Sequence, residues 1–250
     1  MPRMDIDIEA IERATWAALP PAAVAELPGW LLGLDHGTVG RAHSAVPLAH
    51  AAPDLAMVDT VEQRYAAYGL RAVWRIPALL AFEALRSELA QRSYRATQPT
   101  CVQVGTASGM AALSDGAGVA LASAPSKAWA AVFLGEGFDP VDGAHRVRLL
   151  GAAQQSMYAS VEVGGQTVAV GTASFSHGWA SVHGMRTAQA HRGRGLASAV
   201  LGALAREAQS RGIDRVFLQV EAANDKAQAL YRRAGFATAW VYEYWRGVGR

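Results

Sequence analysis

The stretch Ala190-His191-Arg192-Gly193-Arg194-Gly195-Leu196-Ala197-Ser198 places two glycines and two arginines directly before an apolar helical pattern. Apolar residues recur from Leu196 to Ala208 at the spacing of one helix face. Glycine lets the backbone approach a ligand closely, and the first amides of a helix have no partner within the helix. Such a turn is suited to an anion, most often a phosphate. A tight strand-to-helix turn with solvated arginines would give the same pattern, because short glycine motifs often occur by chance.

Apolar segments on both sides of this helix predict two strands. Residues 179–187 precede the turn, and residues 216–220 follow the helix, which Gly212 ends. A strand-helix-strand unit of this length implies a parallel pair with a right-handed crossover. Ligands of such sheets bind at the carboxyl ends of the strands, beside the helix N-terminus. The glycine-arginine turn lies at that place.

The remaining pattern indicates an α/β (α+β) chain with a mixed sheet flanked by helices. Gly164-Gly165 joins two strand-like runs and is a strong hairpin signal. Residues 107–118 are rich in Ala, Gly and Ser and are interpreted as a linker. In the first half we predict a hairpin of residues 30–34 with residues 39–46 around Asp35-His36-Gly37. The other predicted elements are helices at 6–19, 59–68, 79–91, 126–134, 141–152 and 225–234, and strands at 70–76, 94–104, 119–123, 157–163, 167–175 and 236–245.

Composition limits the classes of protein. The chain has 250 residues, half of them apolar, which is enough for one large domain or two small ones with a real core. Residues 1–125 carry a net charge of −3, whereas residues 126–250 carry +5. An anionic ligand therefore fits the second half better. This charge is too small to suggest nucleic acid as a partner.

Cysteine usage and hydropathy predict a cytoplasmic protein. The single cysteine, Cys101, makes no internal disulfide and is read as a small buried residue. The N-terminus shows no signal-peptide pattern, and no run reaches the ~18 apolar residues of a membrane span. We therefore expect no membrane partner. The histidines have no metal-ligand spacing, so we also expect no metal.

A weak internal repeat relates the two halves. Residues 68–74 resemble residues 211–217, and residues 89–94 parallel residues 231–236, with a spacing of about 142 residues. Chance similarity between two helix-strand units is the competing explanation. The first copy has His50-Ala51-Ala52-Pro53-Asp54 where the second has the glycine-arginine turn. A duplication would therefore leave an anion site in the second copy alone.

Two motifs lie in residues 157–245. The first is Arg192-x-x-Gly195-x-Ala197, and the second is Asn224-x-x-Ala227-x-x-Leu230-Tyr231-x-x-x-Gly235-Phe236. Together they resemble the GCN5-related N-acetyltransferases (GNAT), because the first is similar to that family's acetyl-CoA pyrophosphate loop and the second to its other signature. The motifs lie in the family's order around strand 216–220, after a three-strand meander. The resemblance implies the GNAT fold, in tandem with a diverged N-terminal copy.

The resemblance also implies acetyl-CoA as co-substrate and a set of residues that bind it. In the family the fourth strand separates from the fifth, and the pantetheine lies between them. By this likeness the backbone of Met185 and Thr187 pairs with the pantetheine, although the family usually has small aliphatic residues there. Asn224 would bond to the pantetheine or order its own loop. The implied cofactor-binding residues are Met185, Arg186, Thr187, Arg192, Gly193, Arg194, Gly195, Leu196, Ala197, Ser198, Asn224 and Tyr231.

Tyr231 and Glu221 are the implied catalytic residues. A phenol with a pKa of ~10 keeps its proton at neutral pH, and Tyr231 can therefore donate it to the leaving thiolate. A packed helix tyrosine is the alternative. The general base stays open between Glu221, His183, Glu243 and a water.

The resulting hypothesis is an acetyl-CoA-dependent N-acetyltransferase that acts directly on a primary amine of a small molecule or peptide. The alternative is a catalytically silent acyl-CoA-binding regulatory module. We expect a degenerate GNAT-like domain at 1–106, a linker at 107–118 and a catalytic domain at 119–250. The first half would complete the acceptor pocket, cover it as a lid, or act as a pseudo-dimer partner, which we favour. A monomer with pseudo-dimeric halves and a homodimer both fit.

Aromatic residues near the C-terminus allow two interpretations. Trp240, Tyr242 and Tyr244 share one face of the last predicted strand. They form either core and domain interface or a wall of the acceptor pocket.

Overall fold

A computed structural model describes residues 6–248 of the chain. Short 3₁₀ turns at Leu80–Phe82, Val132–Leu134 and Gln189–His191 join some of the longer elements. The helices of this range are α1 Ile8–Ala18, α2 Met57–Ala67, α3 Glu83–Gln91, α4 Ala107–Ala111, α5 Lys127–Ala131, α6 Pro140–Ala152, α7 Leu196–Ser210 and α8 Asp225–Arg233. The strands are β1 Ala23–Leu27, β2 Trp30–Leu34, β3 Ala45–Pro47, β4 Val73–Pro77, β5 Tyr94–Thr106, β6 Val119–Ala122, β7 Ser156–Val163, β8 Gln166–Ser176, β9 Trp179–Thr187, β10 Arg215–Glu221 and β11 Ala237–Gly247.

All eleven of these strands form one mixed sheet in the order β1-β2-β3-β4-β11-β5-β10-β9-β8-β7-β6. Neighbouring strands are antiparallel except at β3 with β4 and at β9 with β10. The parallel β9-β10 pair that the strand-helix-strand pattern predicts is therefore present, with α7 as its crossover. The sheet has helices on both faces, as the sequence pattern predicts.

The centre of the sheet is built from exchanged strands. β5 belongs to the first half of the chain but lies between β10 and β11 of the second half. β11 in turn lies between β5 and β4 of the first half. In the sequence repeat, β4 corresponds to β10 and β5 corresponds to β11. Replacing each strand by its counterpart gives β10-β5-β11-β4, which is the central order β4-β11-β5-β10 read from its other end. The halves thus share one sheet in a pseudo-dimeric arrangement.

Two apolar layers cover the sheet near the β9-β10 pair. On one face, α7 packs Val200, Leu201 and Leu204 against strand residues that include Val216 and Leu218. On the other face, α1 packs against aromatic side chains of β9, β10 and β11. These are Trp179, Phe217, Trp240, Tyr242 and Tyr244.

The first half departs from the predicted hairpin. β2 does pair antiparallel with β3, but β3 begins at Ala45 instead of at residue 39. Residues 39–44 form a turn whose Val39 and Ala42 are buried. The sequence analysis missed β1, which pairs with β2 across Pro28-Gly29. Gly29 has a φ of 76°, so this turn requires a residue that adopts the left-handed region easily.

The predicted linker contains structure of its own. Residues 107–118 begin with α4, whose Ala107 and Met110 are fully buried and which packs on α7. α4 is therefore part of the core, whereas the residues that follow it up to Gly118 are half-buried or exposed. The division into domains at 1–106 and 119–250 stays a prediction, although the exchange of β5 joins both parts into one sheet.

Candidate active site

The β9-β10 pair separates at its carboxyl end. The two strands pair only from Ala180 with Val216 to Val182 with Leu218. Beyond Val182, β9 continues alongside β8 as far as Thr187, opposite Ala169. The backbone of β9 that faces β10 is therefore without a strand partner there. A cavity of about 810 Å³ opens at this split.

A β-bulge lies in β9 where the two strands separate. Val170 of β8 faces Arg186, whereas Thr172 faces His183, so β9 has one extra residue. Gly184 has a φ of 62°, and a Cβ at this position would lie 2.8 Å from Leu150 Cδ1. Glycine is required by both the backbone conformation and the packing.

The N-terminus of α7 faces the same cavity. Its N-cap is Gly195, with a φ of 78°, and no described side chain caps the helix. The amides of Leu196, Ala197 and Ser198 belong to the first turn and have no acceptor within the helix. Gly193 also has a positive φ, and a Cβ there or at Gly195 would meet open space. This glycine turn is therefore shaped as an anion cradle.

Most predicted cofactor residues line this one cavity. Arg194 lies outside it, and its guanidinium is 3.1 Å from His191 Nδ1. Which of these residues bind a cofactor stays a prediction. The predicted residues that line the cavity are Met185, Arg186, Thr187, Arg192, Gly193, Gly195, Leu196, Ala197, Ser198, Glu221, Asn224 and Tyr231.

The arginines beside the turn are ordered by an aromatic residue that the sequence analysis missed. The guanidinium of Arg186 lies 4.5 Å from the ring centroid of Phe138, and that of Arg192 lies 5.9 Å from it. Arg192 Nε also donates to the carbonyl of Thr187 at 3.2 Å. Both cations are therefore held at the mouth of the cavity.

Asn224 and Glu221 lie at the end of β10. Asn224 Oδ1 accepts a hydrogen bond from the Ala227 amide at 3.1 Å and caps α8. Asn224 was predicted either to bond to the pantetheine or to order its own loop, and this contact corresponds to the second role. Glu221 is exposed, and its Oε1 accepts from Gln98 Nε2 at 2.7 Å.

Tyr231 is a buried phenol in the cavity wall. It is 8% exposed, and the described residues give its hydroxyl no hydrogen-bond partner. Burial raises the pKa of Tyr231 to about 12, and the charge of Arg41 opposes this effect. The hydroxyl therefore keeps its proton at neutral pH and is available as a donor.

The other two candidate bases differ from Glu221. His183 is fully buried and lines the cavity, and burial, aided by the charge of Arg41, lowers its pKa to about 3. It is neutral at physiological pH and a weak base. Glu243 lies outside the cavity, where it pairs in register with Ile76 of β4. Its side chain is thus an unsuitable candidate.

The first half of the chain supplies part of the cavity wall, in keeping with the pocket-completing role that the sequence analysis left open, although the analysis named none of the residues involved. Gly40 and Arg41 come from the turn after β2, and Thr100 comes from β5. Tyr242 and Tyr244 also line the cavity, whereas Trp240 packs on His50 at 4.9 Å between ring centroids. The core interpretation therefore holds for all three residues, and Tyr242 and Tyr244 also belong to the cavity wall; that this wall faces the acceptor stays a prediction.

The corresponding place in the first half has different chemistry. Residues 50–54 precede α2, whose N-cap is Ala56. The Asp54 carboxylate accepts a hydrogen bond from the Ala56 amide at 2.9 Å, and Asp59 lies in the first turn. These two acids oppose an anion at this helix N-terminus.

Two features are absent from residues 6–248. No cluster of three or more His, Cys, Asp or Glu side chains there could hold a metal ion. No helix there combines the length and the apolar character needed to cross a membrane.

Comparison with known proteins identifies the family. A family model described as "Probable histone acetyltransferase Rv0428c C-terminal" matches residues 6–245. The chain belongs to this family. One curated relative of this chain is the uncharacterized N-acetyltransferase YobR of Bacillus subtilis, which is 34% identical over 76 residues. That match covers 30% of the chain and only 31% of the length of YobR.

Solved structures show that this family member has the GNAT fold. A GCN5-related N-acetyltransferase from Kribbella flavida matches with a TM-score of 0.70 and 18% identity, over 99% of this chain and 98% of that one. A tandem GNAT protein from the clavulanic acid biosynthesis pathway matches with a TM-score of 0.60 and 12% identity, over 94% and 86%. The predicted GNAT fold is therefore confirmed, and the acetyltransferase names of the family model and of YobR agree with the predicted superfamily.

Proposed function

We propose that this chain is an acetyl-CoA-dependent N-acetyltransferase that transfers the acetyl group directly to a primary amine. The observation that carries the proposal is the split between β9 and β10, where the uncapped start of α7 and the hydroxyl of Tyr231 face one cavity. The names of the relatives support acyl transfer in general.

The residues of the cavity fit acetyl-CoA. The amides of residues 193–198 and the nearby guanidinium of Arg192 would hold the pyrophosphate. The unpaired edge of β9 beyond Val182 would form backbone hydrogen bonds to the two amides of the pantetheine. Acetyl-CoA supplies an activated thioester carbonyl, and a β9 amide would stabilise the negative charge that develops on its oxygen.

Proton transfer is assigned to two residues. Tyr231 would give its proton to the departing sulfur, because burial keeps the phenol protonated at neutral pH. Glu221, at the solvent-exposed end of β10, would accept a proton from the amine directly or through water. Burial lowers the pKa of His183 to about 3, which makes this side chain a weak base and favours Glu221 for the role.

Replacing Tyr231 tests the proposal. In Tyr231→Phe we expect kcat to fall about 10²-fold or more, the usual contribution of general acid catalysis, with little change in acetyl-CoA affinity. The assay follows thiol release from acetyl-CoA with a panel of primary amines, and calorimetry measures cofactor binding. Tyr68→Phe is the matched control, since Tyr68 is an exposed tyrosine outside the cavity.

Two outcomes would contradict the proposal. Equal kcat values in wild type and Tyr231→Phe would show that Tyr231 is not the general acid. Acetyl-CoA binding without transfer to any amine would favour a silent acyl-CoA-binding regulatory module.

A further inference from the structure

Arg41 and Arg246 form a cationic part of the cavity wall on the face that α1 covers. Neither guanidinium has a carboxylate within 4.0 Å in the part of the chain that the structure describes. Arg246 lies 4.4 Å from the Tyr244 ring centroid and donates to the uncharged Thr97. By contrast, Arg75 and Arg148, which face buried carboxylates elsewhere, are ion-paired with Glu12 and Asp35.

Arg41 is held in a fixed position by its backbone. Trp16 Nε1 donates to the Arg41 carbonyl at 2.8 Å, and the Ala42 amide donates to Val39 O at 2.9 Å. A Cβ on Gly40 would lie 2.8 Å from Tyr244 Cε1, so the turn packs directly on this ring. The side chain of Arg41 therefore projects from a rigid support, as a binding site requires.

The groups around Arg41 are ordered and partly unsatisfied. Tyr242 Oη donates to Gln219 Oε1 at 2.9 Å, and Gln219 Nε2 donates to Thr15 Oγ1 at 2.9 Å. Arg41 Nη1 reaches the same Gln219 oxygen only at 3.5 Å. His183 is 4% exposed, and both its ring nitrogens lack a partner among residues 6–248. A buried polar side chain without a partner points to a bound ligand, because leaving it unpaired is costly.

The charge of the cavity selects against a basic acceptor. Glu221 is the one carboxylate in the described lining, and it already accepts from Gln98. In the function proposed above, acetyl-CoA phosphates would account for the cations near α7 and α8, whereas Arg41 and Arg246 lie on the face that α1 covers. The basic side chains that line the cavity are Arg41, Arg146, Arg186, Arg192, Lys226, Arg233 and Arg246.

We propose that the acceptor is a small primary amine that carries a carboxylate, and that Arg41 binds this carboxylate. The proposal rests on the function proposed above and narrows its substrate class. A guanidinium can bind a carboxylate through two parallel hydrogen bonds, which gives direction as well as charge. The charge of Arg41 acts on both Tyr231 and His183, and all three residues line the same cavity. A carboxylate on Arg41 would therefore hold the amine of a small molecule in the cavity that contains the assigned acid.

The experiment compares matched acceptors with the full-length protein and acetyl-CoA. Glycine, alanine and 4-aminobutyrate are each paired with the corresponding amide, and a lysine-rich peptide serves as a basic acceptor. We expect a KM for each carboxylate at least about tenfold below that of its amide, as befits a charged hydrogen-bonded pair. Arg41→Ala should raise the carboxylate KM about tenfold or more and leave the amide KM within about twofold.

Controls separate this role from a structural one. Arg41→Lys keeps the charge but loses the bidentate geometry, and we expect an intermediate KM. Arg64→Ala removes an exposed arginine of α2 far from the cavity and should match wild type. Acetyl-CoA affinity should be the same in all these variants. If Arg41→Ala loses acetyl-CoA affinity, the carboxylate proposal is tested by the KM values of Arg41→Lys and by the wild-type comparison of carboxylates with amides.

The failures of the two proposals are distinguishable. Equal or better use of amides or of the basic peptide would overturn the carboxylate proposal and leave N-acetyltransfer intact. No transfer to any amine would contradict N-acetyltransfer. Calorimetry of the same carboxylates with the acetyl-CoA-loaded protein would then test the carboxylate site. Binding that is lost in Arg41→Ala supports the site, whereas no binding to the wild-type protein overturns it.

Discussion

At the scale of single residues, burial acts in opposite directions on two side chains of the cavity. It raises the pKa of Tyr231 to about 12 and lowers that of His183 to about 3. In both cases it disfavours the charged form, so both groups are neutral at physiological pH. A neutral phenol is suited to donating a proton, whereas a histidine of such low pKa is a poor acceptor. This difference leaves Glu221 or water as the base.

His183 also makes stability depend on pH. The pKa of His183 in the folded chain is far below its unfolded value of 6.5. Below pH 6.5 this imidazole is therefore protonated in the unfolded chain but stays neutral in the folded chain. We expect the free energy of unfolding to fall with decreasing pH from about 6.5, by up to about 1.4 kcal/mol per unit for this group. Urea unfolding of wild type and His183→Phe at about pH 7 and about pH 5 measures the effect.

The variant should lose less stability than wild type between the two pH values. His43 and His50, whose pKa values are also lowered chiefly by burial, leave a residual slope in both proteins. Identical slopes would show that His183 is already hydrated or protonated in the folded chain.

At the scale of elements, strand exchange dominates the structure. β5 pairs with β10 from Thr100 to Thr106 and with β11 along most of its length. Removing β5 would leave both neighbours with unpaired edges in the middle of a sheet. We expect residues 119–250 alone to be insoluble or unfolded. Expression of this fragment with and without residues 1–118, followed by gel filtration and circular dichroism, measures this.

Co-expression of the two fragments should restore a soluble complex. A fragment of residues 119–250 that is folded, monomeric and has native acetyl-CoA affinity would contradict the role assigned to β5. It would also support the predicted catalytic domain as an independent unit.

Local patterns predicted most elements of the second half but fewer of the first. Gly164-Gly165 and Gly212 mark turns and helix ends by their own conformational freedom, so these boundaries follow from nearby residues. Residues 39–44 were predicted as the start of a strand, yet they form a turn in which tertiary packing buries Val39 and Ala42. The position of β5 between β10 and β11 depends on contacts between distant segments, which no local pattern encodes.

The candidate site was predictable to a similar extent. The cofactor side follows from two motifs that are each local in sequence, and nearly all of those residues line the cavity. The proposed acceptor side is formed by Arg41, Thr100 and Tyr242, which line the cavity but are widely separated along the chain. Nothing in the residues around Arg41 distinguishes it from a solvated arginine. Its role emerges only when the exchange of strands brings the first half against the split.

At the scale of the whole molecule, two related halves carry one anion cradle. The second half has the uncapped helix α7 and a net charge of +5. The first half has a net charge of −3, and acidic residues lie at the start of α2. The first half instead contributes β5 and the wall with Arg41. One half would thus bind the acetyl donor while both halves enclose the acceptor.

Calorimetric titration of the full chain with acetyl-CoA tests this account most directly. We predict one acetyl-CoA bound per chain, and no detectable binding in Gly195→Glu, because the φ of 78° strains any side chain and the carboxylate repels the pyrophosphate. Arg194→Ala, the matched control, should weaken binding by no more than a few fold, since Arg194 lies outside the cavity. Two acetyl-CoA molecules per chain, or equal loss of affinity in both variants, would contradict it.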